Sequence, residues 1–318
     1  MIAVELQQGT VSLAARPVPS RAEGHALIRM RHAGICSTDL QLQRGYYNFS
    51  GTPGHEFVGE VVACGDEKWL GRLVAGEINL ACNDCDWCRR GLRRHCPNRT
   101  VLGIVKHPGA FAEFLTLPEC NLHALPDGVP AEMCIFIEPL AAACEILDQV
   151  AIPAGATVGV LGDGKLGLLV AQVLRLSGLQ VHLFGRHVDK MRLLEPLGIG
   201  VERANGALPR MAYDYVVDAT GSASGLEAAI AMTRPRGTLI LKSTVHGAVT
   251  IDTAAVIVHE ITLVGSRCGR FEAALQFLLA GRLILAPLIH DRFPLRQAPA
   301  AFARAAEKGV LKVLLENE

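Results

Sequence analysis

The sequence predicts an α/β protein of two domains, one β-rich and one built on a doubly wound parallel sheet. Three observations carry this reading. Short strand-like runs punctuated by Gly and Pro fill the first third. From about Glu138 onward, strands alternate with helical runs, the pattern of a parallel sheet covered by helices. A chain of 318 residues is also long enough for two separate cores.

Taken in order, Ile2, Val4 and Leu6 alternate with other residues, the period of a half-buried strand. His25 to His32 and Phe57 to Val62 read as further strands. Thr157 to Leu161 is a buried-type strand, Leu166 to Ser177 a helical run and Val181 to Phe184 the next strand. Asp214 to Asp218, Thr238 to Leu241 and Ile261 to Val264 continue the series, with a helical stretch between the first two. The tail, from about Phe271, carries a helix, an irregular Pro-rich stretch, a second short helix and a final strand, Leu311 to Leu315.

Composition narrows the function classes. Half the residues are hydrophobic, formal charges cancel, and no polybasic run points to nucleic acid or a membrane surface. The longest apolar stretch, Leu275 to Ile289, is cut by Gly281 and Arg282 and is too short to span a bilayer. Met1 to Pro17 lacks the pattern of an export signal, and ten cysteines in that context point to a reducing, cytoplasmic compartment.

Chemistry concentrates in three places. Cys82, Cys85, Cys88 and Cys96 form C-x2-C-x2-C-x7-C, a spacing that lets four thiolates converge on one zinc ion. Buried free thiols or two disulfides are the competing readings. Four thiolates leave no open position for substrate, so this loop is expected to be a structural clasp. Arg89, Arg90, Arg93 and Arg94 lie where they can offset its negative charge.

Gly162, Gly164 and Gly167 form G-x-G-x-x-G between a strand and a helix, the context a dinucleotide fingerprint needs. The first glycine permits the tight turn, the second admits a pyrophosphate, and the third packs helix on strand. Lys165 and Leu166 open the helix whose N–H groups meet the phosphates. Where NAD enzymes place a carboxylate to hold the ribose, this chain has Gly185-Arg186-His187, with Lys190 a little later. Room without negative charge, beside a guanidinium, suits the 2′-phosphate of NADP; NAD remains the alternative.

Cys36, His55 and Glu138 supply three kinds of zinc donor from distant segments, with Glu56 beside the histidine. Spacing alone does not join them. In chain order, however, the Gly-His-Glu segment, the four-cysteine loop and the dinucleotide fingerprint resemble those of the zinc-dependent medium-chain dehydrogenases. This is the alcohol, polyol and sugar dehydrogenase superfamily, and the likeness spans nearly the whole chain.

The resemblance implies a GroES-like catalytic domain (residues 1–140 and 270–318) split around a Rossmann domain (residues 141–269). It implies one catalytic and one structural zinc. Cys36 and His55 match catalytic-zinc ligands, Glu56 a direct or intermittent one, and Glu138 the glutamate that polyol and sugar dehydrogenases carry. Asp39 matches a carboxylate that orients the histidine, and Thr38 the hydroxyl that receives the alcohol proton. Gln41 stands where many alcohol dehydrogenases have a proton-relaying histidine, and an amide cannot be that base. Ala219-Thr220-Gly221 resembles a turn near the cofactor ribose.

Charge counting adds an expectation. One thiolate, one carboxylate and a neutral imidazole balance Zn²⁺, so only one of Glu56 and Glu138 is expected to bind tightly at hydride transfer. The expected reaction is hydride transfer between a polyol, sugar or other secondary alcohol and NADP, its partner being the small-molecule alcohol or carbonyl. The resemblance further implies a homo-oligomer, dimer or tetramer. The alternatives are an NAD-linked alcohol or aldehyde dehydrogenase of the same fold, or a non-catalytic protein that binds zinc and nucleotide. Cys64, Cys120, Cys134, Cys144 and Cys268 stand singly among apolar residues and read as small core hydrophobes.

Overall fold

The computed structural model describes residues 1–244 and 248–317 and divides into two compact units, Met1–Glu138 with Leu288–Glu318 and Pro139–Pro287. The sequence expectation puts the second crossing at residue 270. The structure assigns the helix Phe271–Leu279 to the unit Pro139–Pro287 instead.

The first unit is organised by a seven-stranded sheet. Its long central strand, His25–Ile35, pairs antiparallel with Glu56–Ala63, with Phe114–Pro118 and with the C-terminal strand Lys312–Glu316. Its alternate residues Ala26, Ile28 and Met30 are buried and line the core, as period-two geometry requires. Beyond Lys312–Glu316 lies Ile289–Pro294, joined to it in parallel. A hairpin of Ile2–Gln7 and Thr10–Ala15 and a small sheet of Asn79–Leu80, Thr100–Leu102 and Lys106–His107 complete the unit.

The second unit is a six-stranded parallel sheet. Its spatial order is Gly200–Arg203, Gln180–Gly185, Thr157–Leu161, Tyr213–Asp218, Thr233–Leu241, Thr262–Gly265. Numbered along the chain from Thr157–Leu161, this is 3-2-1-4-5-6, the doubly wound order that binds dinucleotides where the strand order reverses. Val158 and Val160 of the first strand are fully buried, and the helix Lys165–Leu176 packs a continuous apolar face on the sheet. Among the described residues no helix is long and apolar enough to cross a membrane.

Candidate functional site

The first unit holds two clusters of metal-ligating side chains. In the loop, the four sulfurs converge: Cys82–Cys96 are 3.4 Å apart, Cys85–Cys88 3.5 Å, Cys85–Cys96 3.7 Å and Cys82–Cys88 3.9 Å. A disulfide would need about 2.05 Å. Four sulfurs each about 2.3 Å from one ion lie roughly 3.8 Å from one another at the corners of a tetrahedron. The spacing fits zinc and excludes two disulfides. Backbone N–H groups of Asp84 and Cys85 draw the Cys82 thiol down to about 6, while desolvation and the neighbouring sulfurs push Cys88 up to about 12.

The arginines of this loop are less available to the sulfurs than their positions suggest. Arg89 binds Asp84 and Asp86, Arg90 lies over the Trp87 ring at 5.6 Å, and Arg93 donates to Cys120. Cys120 is exposed, contrary to its reading as a core residue, because it sits on a short turn after the strand Phe114–Pro118. Cys64 and Cys268 are half-buried. Cys134 and Cys144 are buried as expected, and burial pushes their thiols up to about 11 and about 12.

In the second cluster, donor atoms of Cys36, His55 and Glu56 all lie within 4.8 Å of one another. Local structure explains how distant segments meet. Cys36 ends the central strand and caps the helix Ser37–Gln43, while Glu56 begins the neighbouring strand, paired with Gly34. Asp39, fully buried, ties the two segments together. Its Oδ2 accepts the Cys36 backbone N–H at 2.8 Å, and its Oδ1 faces His55 Nδ1 at 3.4 Å. That approach stops short of a full hydrogen bond. With Nδ1 turned to the carboxylate, Nε2 is the atom left for a metal. Burial lowers the His55 pKa, but Asp39 and Cys36 outweigh it and raise it well above the ordinary value. The thiol Sγ of Cys36 lies 3.9 Å from the Thr38 hydroxyl.

Lys312 is the residue that sequence reasoning missed. Its Nζ donates to Glu56 Oε2, both side chains are 1% exposed, and the ammonium lies 5.8 Å from the centre of the Phe136 ring. Burial lowers the lysine pKa, yet Glu56, Cys36 and Glu138 together raise it. Gly34 makes room for the pair, since a Cβ there would meet Glu56 Oε2 at 2.6 Å and Lys312 Cδ at 3.2 Å. The only sequence signal was a lone lysine inside the apolar strand Leu311 to Leu315. Glu138 does not join the 4.8 Å cluster, although its charge reaches Lys312.

Lys312 alters the charge count. It places one positive charge beside Glu56, in a cluster that also has the fully buried Asp39 against His55, so the ligand set by itself does not fix the net charge around a bound Zn²⁺.

The second unit carries the dinucleotide features. Gly162 turns at φ +124°, where a side chain would also press on the Ala219 carbonyl at 2.6 Å. A Cβ on Gly167 would lie 2.0 Å from the Gly162 carbonyl oxygen, so this position packs helix on turn. In front of Gly164, the cap of the helix that Lys165 and Leu166 open, there is open space within 4 Å, the cradle a pyrophosphate needs. The Ala219-Thr220-Gly221 turn abuts this loop. Asp218 steadies it by accepting from the Thr220 backbone at 2.9 Å and the Thr220 hydroxyl at 2.7 Å. At the end of the second strand Gly185 is buried, Arg186 is exposed, and His187 and Lys190 are half-buried.

Comparison with known proteins agrees with this geometry. Residues 22–127 match the alcohol dehydrogenase GroES-like domain, and residues 166–280 match the zinc-binding dehydrogenase domain. The chain belongs to the zinc-dependent medium-chain dehydrogenases. It is a zinc-dependent oxidoreductase that passes hydride between an alcohol and a nicotinamide cofactor. It is 30% identical to D-altritol 5-dehydrogenase of Agrobacterium fabrum over 98% of each chain. It is 31% identical to L-threonine 3-dehydrogenase of Streptomyces avermitilis over 94% of each. A provisionally assigned zinc-binding dehydrogenase from Sinorhizobium meliloti 1021, solved bound to NADP, superposes with a TM-score of 0.90. It is 28% identical, with 99% of this chain and 98% of that one covered.

Proposed function

We propose that this chain oxidises a polyol, sugar or related secondary alcohol, or reduces the matching carbonyl, with NADP as the preferred cofactor. The observation that carries the reading is the convergence of Cys36, His55 and Glu56 donors within 4.8 Å, backed by the buried charges of Asp39 and Lys312. These three, with Glu138 as the additional carboxylate, would hold the catalytic zinc, and Cys82, Cys85, Cys88 and Cys96 the structural one. When bound, zinc supplies a Lewis acid that lowers an alcohol's pKa, and the nicotinamide supplies the hydride acceptor.

The chain's own residues do the rest. Asp39 fixes the His55 ring and the start of the helix that carries Thr38. The Thr38 hydroxyl, beside Cys36, accepts the substrate's hydroxyl proton. Gln41 cannot pass it on, so water, the ribose hydroxyls of a bound cofactor or another side chain would have to finish the relay. Glu56 is held by Lys312, which offsets its charge. At the cofactor, Gly185 itself carries no carboxylate, the nearby Asp163 carboxylate is engaged by the His187 backbone N–H, and the exposed Arg186 guanidinium can grip a 2′-phosphate in a bidentate contact. The NADP-bound relative and the polyol named in the altritol dehydrogenase support the cofactor and substrate class. Family likeness supports a cytoplasmic homo-oligomer.

The test pairs elemental analysis with a turnover screen. Fully loaded protein is expected to hold two zinc ions per chain and to turn over polyols or other secondary alcohols, L-threonine included as a comparison. NADP is expected to exceed NAD by at least about tenfold in kcat/KM, about 1.4 kcal/mol. One zinc per chain would remove the catalytic-site assignment. Equal efficiency with both cofactors would remove the NADP preference.

A further inference from the structure

Asp163 stands at the second position of the glycine turn, where the fingerprint specifies no residue type. Its side chain, 13% exposed, spans from this turn to the end of the neighbouring strand Gln180–Gly185. There Oδ2 accepts the His187 backbone N–H at 2.5 Å and faces His187 Nδ1 at 2.8 Å. Burial lowers the pKa of Lys190, and the same carboxylate opposes only part of that shift. One acid thus engages the residues that follow the strand, while the Arg186 guanidinium between them is exposed.

The position of this side chain is unusual for a second reason. A Cβ built on Gly185 would lie 2.4 Å from Asp163 Cβ and 2.7 Å from its Cγ. Asp163 therefore fills the volume that a side chain at residue 185 would occupy. In NAD-binding proteins of this fold, that strand end carries the carboxylate that holds the ribose hydroxyls. Here a carboxylate sits close by but enters from the glycine turn, and its Oδ2 is taken by His187.

We propose that Asp163 is a positioning residue for cofactor specificity. It excludes any side chain from residue 185 and holds the Arg186-His187 turn in the conformation that receives a 2′-phosphate. This rests on the NADP reading above. The physical argument is one of preorganisation. The His187 backbone N–H and ring are fixed before the ligand arrives, so less ordering cost falls on binding. The His187 ring, anchored through Nδ1, keeps Nε2 as its free edge, and Arg186 and Lys190 add positive charge around a site for a doubly charged group.

The test uses the zinc-loaded full chain and needs no turnover. Calorimetry with adenosine 2′,5′-bisphosphate and with 5′-AMP isolates the 2′-phosphate contribution. Wild type is expected to bind the bisphosphate more tightly. Asp163→Ala should weaken bisphosphate binding by about tenfold or more while changing 5′-AMP binding by less than about threefold. Asp163→Asn, whose amide oxygen still accepts the His187 backbone N–H, should recover most of the loss. In steady-state assays the Asp163→Ala defect should appear in KM for NADP with kcat retained.

A wild-type preference untouched by Asp163→Ala overturns the role of Asp163 and leaves the NADP reading standing. Tighter bisphosphate binding, or loss mainly of 5′-AMP binding, overturns it too, because the carboxylate would then face the ribose itself. No wild-type preference for the bisphosphate removes both readings. A suppressor pair checks the shared volume. Gly185→Ala should lower the thermal midpoint and 5′-AMP affinity, and adding Asp163→Gly should restore both while bisphosphate affinity stays low, since Met191 Sδ, 2.8 Å from the new Cβ, is a flexible chain end. Failure of the second substitution to restore either property overturns the volume argument.

Discussion

A single lysine changes how the metal centre is understood. Lys312 and Glu56 are both 1% exposed, and such a pair is held by charge in a region where either group alone would be costly. Lys312→Met should therefore destabilise the protein by roughly 3–5 kcal/mol, because an uncompensated carboxylate remains buried. Adding Glu56→Gln should return much of that loss. Urea unfolding of the single and double variants checks both statements, and equal stability of wild type and Lys312→Met would deny the pair any role. The metal site was only partly legible in the sequence. Cys36, His55 and Glu56 were found through motif order. Lys312 lies 256 residues from Glu56 along the chain, so no local pattern could link them. Glu138 is a further case: family likeness implies a ligand's role for it, and its carboxylate lies outside the 4.8 Å cluster of the other three donors.

Among elements, the cysteine loop and the glycine turn were read most directly, because each is a short segment whose chemistry is encoded by spacing. The loop's sulfur separations of 3.4–3.9 Å suit one zinc ion, and a zinc held there would couple metal binding to the loop's fold. Cys85→Ser is expected to lower the thermal midpoint and soluble yield. Cys36→Ser should leave a folded protein with the loop's zinc and without turnover. Zinc content, melting curves and activity of the two variants separate the roles, and a stable, fully active Cys85→Ser protein would contradict the clasp. The strands of the parallel sheet were legible for a related reason: their covered faces demand apolar runs such as Thr157 to Leu161. Short or edge strands were not. Gly200–Arg203 is largely exposed, and Thr10–Ala15 buries no residue fully, so neither carries a clear hydrophobic signal. Their strand character comes from pairing partners elsewhere, a property of the assembled sheet.

For the whole molecule, the governing fact is that the first unit is discontinuous. The chain leaves it after Glu138 and re-enters at Leu288, and its final strand Lys312–Glu316 sits between His25–Ile35 and Ile289–Pro294. Val313, Leu314 and Leu315 are fully buried there. Deleting residues 311–318 should consequently cost far more than the loss of a tail. The shortened chain is expected to lose soluble expression or the first unit's cooperative melting, together with the catalytic zinc. A soluble, two-zinc truncation with wild-type melting would refute this.

That interleaved strand also sets a schedule for synthesis. The ribosome delivers all of Pro139–Pro287 before the last partner of His25–Ile35 exists, and the second unit is continuous, so it can close while the first unit's sheet is still missing a member. Lys312, the counter-charge to Glu56, emerges only after the whole of Pro139–Pro287. Until it does, Glu56 lacks the ammonium it meets in the folded chain. The counter-charge of this cluster thus comes from a segment made only after the second unit.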